Sequence, residues 1–458
     1  MKLFFTGSVI LSLGLFSFSA ADETAPFTKT IKVETKNKKS WKSRDTAVIT
    51  NKINEVFSQD KINKYGSWLN EKKNASGFFR VERDKKGRWW FIDPEGYPHI
   101  NIAVNSVSLN KSKSSKELIV SMFGTKESWA GETVKLLRQN SFNSLGSWTD
   151  TETMRSAENP LPYTLNVNFM AGYSKKAGLS SMGSGHRDYS NDLIPVFDPE
   201  FENYCKKAAA KFIHSKNDPL LIGIFSDNEL PFPFDILDRT LKLRRTDHAF
   251  AEAEKWLKEN KIDRQKIDEQ ANLKFLQFVS ERYFRICKEA LAAALPNHLY
   301  IGCRFHGKTL RAEAVFKAAA KYLDVISVNW YGKWTPDKEK MDQWMQWSGR
   351  PFIITEFYAK GMDSGLANTS GAGWTVKTQE DRGHFYQNFV LALSRHQGNI
   401  GWHWFKYIDN DPDVKASDPS NKDANKGIVN EQFKPYTKML DAMKVLNSRV
   451  YQIRNSGS

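Results

Sequence analysis

The chain has 458 residues, 67 Lys+Arg against 52 Asp+Glu, three Cys and a formal charge of +15. With 40% apolar and 26% charged residues, it is neither a disordered tail, a collagen nor a disulfide-stapled miniprotein. Length alone suggests about three domains of roughly 150 residues, although one α/β barrel absorbs about 250 to more than 400 residues with insertions. The 14 Trp, 15 Tyr and 30 Phe supply rings for a core and flat platforms for flat ligands.

In chain order, Met1 and Lys2 precede an apolar run, Leu3 to Phe18, and small residues Ser19-Ala20-Ala21. This pattern predicts a signal peptide over 1–21, cleaved after Ala21, and a secreted or periplasmic product. No later stretch is long and apolar enough to cross a bilayer. Residues 22–75 are rich in Lys, Asn, Thr and Ser. They read as a polar Lys-rich leader, mobile at first, then a short helix covering one end of the main domain, with apolar islands at Ile53, Val56, Phe57 and Trp68. The basic excess reads as a solvated face rather than a nucleic-acid patch, since no helix-turn-helix, zinc or RNA-binding motif is present. It could attract sulfated or uronic polysaccharides through its field.

From residue 76 to about 450 the texture is that of a single barrel. Gly77 to Glu82 and Arg88 to Ile92 read as an N-terminal β-hairpin, followed by the turn Asp93-Pro94-Glu95-Gly96. Eight short apolar runs follow: Ile100–Asn105, Phe142–Trp148, Tyr163–Phe169, Leu220–Ser226, Leu299–Phe305, Val325–Trp330, Phe352–Phe357 and Ile400–Phe405. Helical periodicity lies between them, at 131–139, 200–215, 247–296, 311–321, 338–347 and 379–396. Strands buried on both faces read as near-continuous apolar runs. Eight of them alternating with helices predict an α/β fold, a (β/α)8 TIM barrel.

Barrel chemistry sits at the C-terminal strand ends. Those ends carry Asn105, Trp148, Asn228-Glu229, Arg304 with His306, Tyr331, Glu356 and Trp404. A carboxylate closing an apolar strand is costly unless a cleft receives it. Glu229 and Glu356, on strands 4 and 7, would face each other across the mouth. Glycoside hydrolysis needs such a pair, one to protonate the leaving oxygen and one to attack the anomeric carbon. Asn228 could bond a sugar hydroxyl or end the strand as a turn residue. Tyr331 could donate to Glu356 and keep it ionised, or sit in the core with its hydroxyl at the rim. Trp148 and Trp404 offer faces for a pyranose, whereas Trp402 reads as core. His306 fits a pocket hydrogen bond and a structural role equally well. Lys406 and Asp409 are candidate hydroxyl-binding groups.

These motifs together resemble glycoside hydrolase clan A, and more narrowly the β-agarase family 50 and related galactan hydrolases. The likeness rests on Gly77-Phe78-Phe79-Arg80, Gly87 to Gly96, Phe142 to Trp148, Phe225-Ser226-Asp227-Asn228-Glu229, Ile353 to Phe357, and Asn425 to Val429. It implies a retaining mechanism, with Glu229 as acid/base, Glu356 as nucleophile, and β-linked galactose polymers or oligosaccharides as substrate. Family members carry an N-terminal β-sandwich, for which the leader reads as too short and too polar.

No cofactor is expected. The acidic loop Asp409-Asn410-Asp411-Pro412-Asp413 fails as an EF-hand, with Val414 at position six and Ser420 at position twelve. Cys205, Cys287 and Cys303 read as buried thiols, with one disulfide left open. Two alternatives stand. A sulfated or uronic galactan could be the substrate, with Arg304, Lys333, Lys360 and Lys406 near strand ends to receive the anion. The barrel could also bind carbohydrate without catalysis.

Overall fold

A computed structural model describes residues 26–35, 40–49, 61–109, 113–182, 187–414 and 420–456. The predicted signal peptide lies outside the described residues, and the described part of 22–75 contains strands and turns but not the short helix expected there. Strands β1 (Phe27–Thr35) and β2 (Ser40–Val48) pair antiparallel from Phe27 opposite Val48 to Thr35 opposite Ser40. Next, β3 (Arg80–Arg83), β4 (Trp89–Ile92) and β5 (Pro98–His99) make a three-stranded antiparallel sheet. The barrel strands begin with β6 (Asn101–Val104), β7 (Ser144–Leu145) and β8 (Tyr163–Asn166). A short hairpin, β9 (Ser180–Met182) and β10 (Arg187–Tyr189), interrupts them. They resume with β11 (Leu221–Phe225), β12 (Leu299–Tyr300), β13 (Ile326–Asn329) and β14 (Phe352–Phe357). After β15 (Ala359–Gly361) and β16 (Trp374–Val376), β17 (Asn399–Trp404) completes the set.

The eight-stranded sheet runs β12-β11-β8-β7-β6-β17-β14-β13, with every ladder parallel. A bridge from Phe305 to Val328 joins its two ends, with Phe305 N donating to Ser327 O at 2.8 Å. Chain order around the closed ring is that of a (β/α)8 barrel, as the alternation of apolar runs and helices predicted. Each predicted run overlaps one of these strands, and seven of the eight contain the whole strand. The long connection splits into helices His248–Glu259 and Glu269–Ala294, the second held at its start by the Asp268 carboxylate on Ala271 N.

Ile222, Phe225, Leu299, Ile301, Val325, Ile353 and Ile400 fill the barrel interior, and Phe79 and Phe91 of the hairpin segment join them. Trp89 N donates to Gln397 O, just upstream of β17. The β3–β4–β5 sheet therefore plugs the N-terminal end and leaves the C-terminal end open.

The leader is more structured than its composition suggests. β1 pairs with β16 (Val33 opposite Val376), giving a sheet ordered β15-β16-β1-β2. Ile31 and Val33 point inward while Lys32 between them is exposed, a two-residue alternation hidden by the Lys and Thr content. Asn388 Oδ1 accepts from Ala47 N at 2.9 Å, Gln387 Oε1 from Ile49 N at 3.1 Å, and Trp334 Nε1 donates to Thr46 Oγ1 at 3.1 Å. Side chains of helix Gln379–Ser394 thus satisfy part of β2's outer edge. The three cysteines are buried free thiols, and burial pushes Cys287 and Cys303 well above the usual thiol range. Among the described residues, no helix is long and apolar enough to cross a membrane.

Candidate active site

The two glutamates reach the open end by different backbone devices. After β11, Glu229 adopts a left-handed conformation (φ +51°) and its N–H is held by Cys303 O at 3.0 Å. Ser106, Trp148 and Arg304, beyond β6, β7 and β12, are left-handed too. Such conformations cost about 1–3 kcal/mol each in non-glycine residues and collect where function demands them. Asp227 anchors this turn. It accepts from Met170 N and Ala171 N, both at 2.9 Å, and from Tyr283 OH at 2.7 Å. Burial nevertheless pushes its carboxyl up to about 7.

Glu356 is placed by a β-bulge. Val328 faces Ile354, yet the next residue, Asn329, faces Glu356. The β17 ladder shifts over the same stretch, between Ile354 and Phe357. The extra residue re-aims the strand end, so Glu356 faces the cavity although Ile353 already faces the interior.

Both Glu356 oxygens accept strong hydrogen bonds. Arg304 Nη2 donates to Oε1 at 2.5 Å and Tyr331 OH to Oε2 at 2.5 Å. Burial pushes the Glu356 carboxyl up to about 7; the Arg304 charge opposes this, Glu229 adds to it, and the Tyr331 hydrogen bond opposes it. Glu229 meets a neutral partner instead, Asn329 Nδ2, at 2.7 Å. Asn329 also donates to Asn228 Oδ1 at 3.2 Å, and its own Oδ1 accepts from Thr355 Oγ1 at 2.7 Å and Arg304 Nε at 3.4 Å. The two carboxylates are thereby joined through Asn329 and Arg304. The fully buried Arg304 guanidinium lies 4.1 Å from the Trp148 ring centroid.

A cavity of about 670 Å³ opens here. Of the residues singled out from sequence, Glu229, Glu356, Trp148, Asn228, His306, Tyr331 and Lys406 line it. Trp148 is 37% exposed, and His306 Nδ1 stands 3.8 Å from Glu229 Oε1. Lys406 Nζ donates to Asn410 Oδ1 at 2.7 Å.

Three others are elsewhere. Asn105 is fully buried and links strands, accepting from Ser147 N at 2.9 Å and donating to Thr355 O at 2.7 Å. Trp404 is fully buried against Phe357 and Tyr386, with Nε1 on Lys426 O at 2.9 Å, so it presents no face to a sugar. Asp409 is consumed by its own loop, accepting from Lys426 N and Gly427 N at 2.7 Å, Asn425 Nδ2 at 2.9 Å and Tyr436 OH at 2.7 Å. Trp402 is core, its Nε1 on Tyr386 OH.

Among the cations proposed to receive sulfate, Arg304 is committed to Glu356. Lys360 is buried on Asn368 O and Ser370 O, and Lys333 lies by Asp337 outside the cavity. Among the described residues, no three His, Cys, Asp or Glu side chains converge as metal ligands.

Sequence reasoning missed Asn329, Tyr358, Phe405 and Lys426. Asn329 carried a usable signal: like Glu229 and Glu356, it is a polar residue closing an apolar strand. Tyr358, Phe405 and Lys426 line the cavity because of loop packing. The Tyr358 ring rests on the Gly371–Gly373 backbone, where a Cβ at Gly373 would meet it at 2.5 Å.

No family model matches the chain. Among curated proteins it is similar to β-agarase B of Vibrio sp. (strain JT0107), 24% identical over 489 residues, covering 85% of this chain and 50% of that protein. It is similar also to β-agarase A of the same organism, 29% identical over 386 residues, covering 73% and 37%. The chain therefore spans half or less of these relatives' length. Among solved structures, BpGH50 matches with a TM-score of 0.81 at 30% identity, covering 94% of this chain and 96% of that one. The agarase AgWH50C matches with a TM-score of 0.72 at 25% identity, covering 86% and 66%. A likeness that spans both chains almost end to end, over a barrel with paired glutamates at its mouth, shows that this chain belongs to glycoside hydrolase family 50.

Proposed function

We propose that the protein is an exported retaining glycoside hydrolase that cleaves β-linked galactose-containing polysaccharide or oligosaccharide of the agarose type. The observation that carries this is the single cavity holding Glu229 and Glu356, with both oxygens of Glu356 capped by Arg304 and Tyr331. The agarase names of the relatives support the substrate class. Two donors on Glu356, one of them cationic, favour its anion as the attacking group, and Glu229, which meets the neutral Asn329 amide, is the carboxyl left for the acid/base role.

Glu356 attacks the anomeric carbon while Glu229 protonates the departing oxygen. Glu229 then takes a proton from the water that releases the glycosyl-enzyme, and the anomeric configuration is kept. Trp148 supplies the stacking face. Release of reducing sugar from agarose, abolished in Glu356→Gln, is the expected result. Azide should rescue Glu229→Ala and give a β-glycosyl azide; an α product would refute retention. A sulfated or uronic galactan is the second reading, favoured by the Lys406 and Lys426 side chains lining the cavity. Comparison of agarose with sulfated galactans decides between them.

A further inference from the structure

At the opposite end of the barrel, the β3–β4 hairpin, the 68–73 segment and Asn455 enclose a second groove of about 570 Å³. Its floor is aromatic and rigid. Trp68 stacks on Tyr451 (5.9 Å between centroids, 15° between planes), and Trp90 stacks near that same ring (6.4 Å, 16°). Trp90 Nε1 is fixed on Asp84 Oδ2 at 3.0 Å, while Trp68 is half-buried and lines the groove.

The walls carry Lys72, Lys73, Arg83, Lys85 and Lys86 against Glu71, Glu82 and Asp84, so cations outnumber anions. Glu82 is tied to Arg80 at 2.6 Å, and Asp84 closes its own turn by accepting from Lys86 N and Arg88 N. Lys73, Lys85 and Lys86 line the groove, and among the described residues their side chains make no ion pair. A flat apolar ring beside ammonium groups matches a sugar face that carries an anionic substituent.

We propose that this groove binds a sulfate- or carboxylate-bearing galactan chain, away from the bond being cut. The inference rests on the galactan reading of the catalytic cavity. A chain held there would raise the local concentration of substrate around the enzyme.

The test uses the full chain as Glu356→Gln, so that polymer is bound and not consumed, in affinity electrophoresis through agarose and through a sulfated galactan. Retention should be stronger in the sulfated gel, and Trp68→Ala should weaken it about tenfold, the scale of one lost aromatic contact. The exposed pair Lys85→Ser/Lys86→Ser, which leaves the rings untouched, should weaken retention and flatten its salt dependence. In an otherwise native enzyme, Trp68→Ala should leave oligosaccharide hydrolysis unchanged. Equal retention of parent and both variants would overturn the proposal. So would equal binding to double-stranded DNA, which would mark a plain charged surface. Failure of the native enzyme to cleave any galactan would count against the catalytic reading alone, because retention is scored without turnover.

Discussion

In Arg304→Met the buried side chain keeps most of its length and loses its charge. The guanidinium lies 2.5 Å from Glu356 and opposes the upward pull of burial. An opposite charge at such range lowers a carboxyl by about one to three pH units. Taking about two, its removal would carry Glu356 from about 7 to about 9. At pH 7 the ionised fraction would then fall from about one-half to about one-hundredth, roughly a fiftyfold loss in kcat/KM. The assay is kcat/KM on a soluble galactan oligosaccharide across the pH range, which reports groups in the free enzyme. The acid limb should move upward, with activity recovering in alkali. Arg304→Lys should restore part of the profile, since it returns the charge without the planar fork. A uniform fall in rate, with the acid limb unmoved, would refute the assignment. A rise in KM should accompany the change, because Trp148 loses the cation 4.1 Å from its ring.

Tyr331→Phe deletes the bond to Glu356 Oε2 and should lower kcat by about ten- to a hundredfold, the scale of a hydrogen bond to a charge; steady-state kinetics check it. Glu356 binds its proton more tightly folded (about 7) than unfolded (4.5), so its contribution to stability is full below pH 4.5 and lost as pH rises through 7. Glu356→Gln does not titrate; from pH 4 to pH 8 its stability should gain about 3 kcal/mol on the native chain, and denaturant unfolding showing a constant difference would contradict this. Trp148→Ala should raise KM with little change in melting temperature, whereas Trp404→Ala should cost about 3–5 kcal/mol of stability as a core deletion. A thiol reagent should label no cysteine in the native state and three after unfolding.

Particular residues show where the sequence was legible. The barrel could be read because strands buried on both faces leave uninterrupted apolar runs such as Leu221–Phe225. Glu229 and Glu356 stood out because a charge at the end of such a run demands an explanation. Trp404 is buried away from the mouth for a reason invisible in composition. Between Asn399 and Trp402, β17 carries one more residue than β14 does between Phe352 and Ile354. Ile400 faces the barrel interior, and beyond that bulge Trp402 and Trp404 turn toward the helices. Asn105 and Asp409 are polar residues in the expected places, but backbone groups on neighbouring segments take their capacity. Such long-range partners leave no local pattern. The Lys-rich leader hid its strands because Ile31 and Val33 are too few to register against the charge around them.

The pairing of β1 with β16 fixes an order of events. Ala47 and its partner Asn388 are 341 residues apart in sequence. Strands made early in synthesis therefore wait for partners made near the end. Contacts of such long range form late and slowly. Tyr358, Gly371 and Ala372 of the cavity wall flank or lie between β15 and β16, so this part of the wall is tied to strands far away in the chain. The same tie makes the early Lys-rich strands a poor place to trim: removing them would unfasten β16 far along the chain, beside the glutamates.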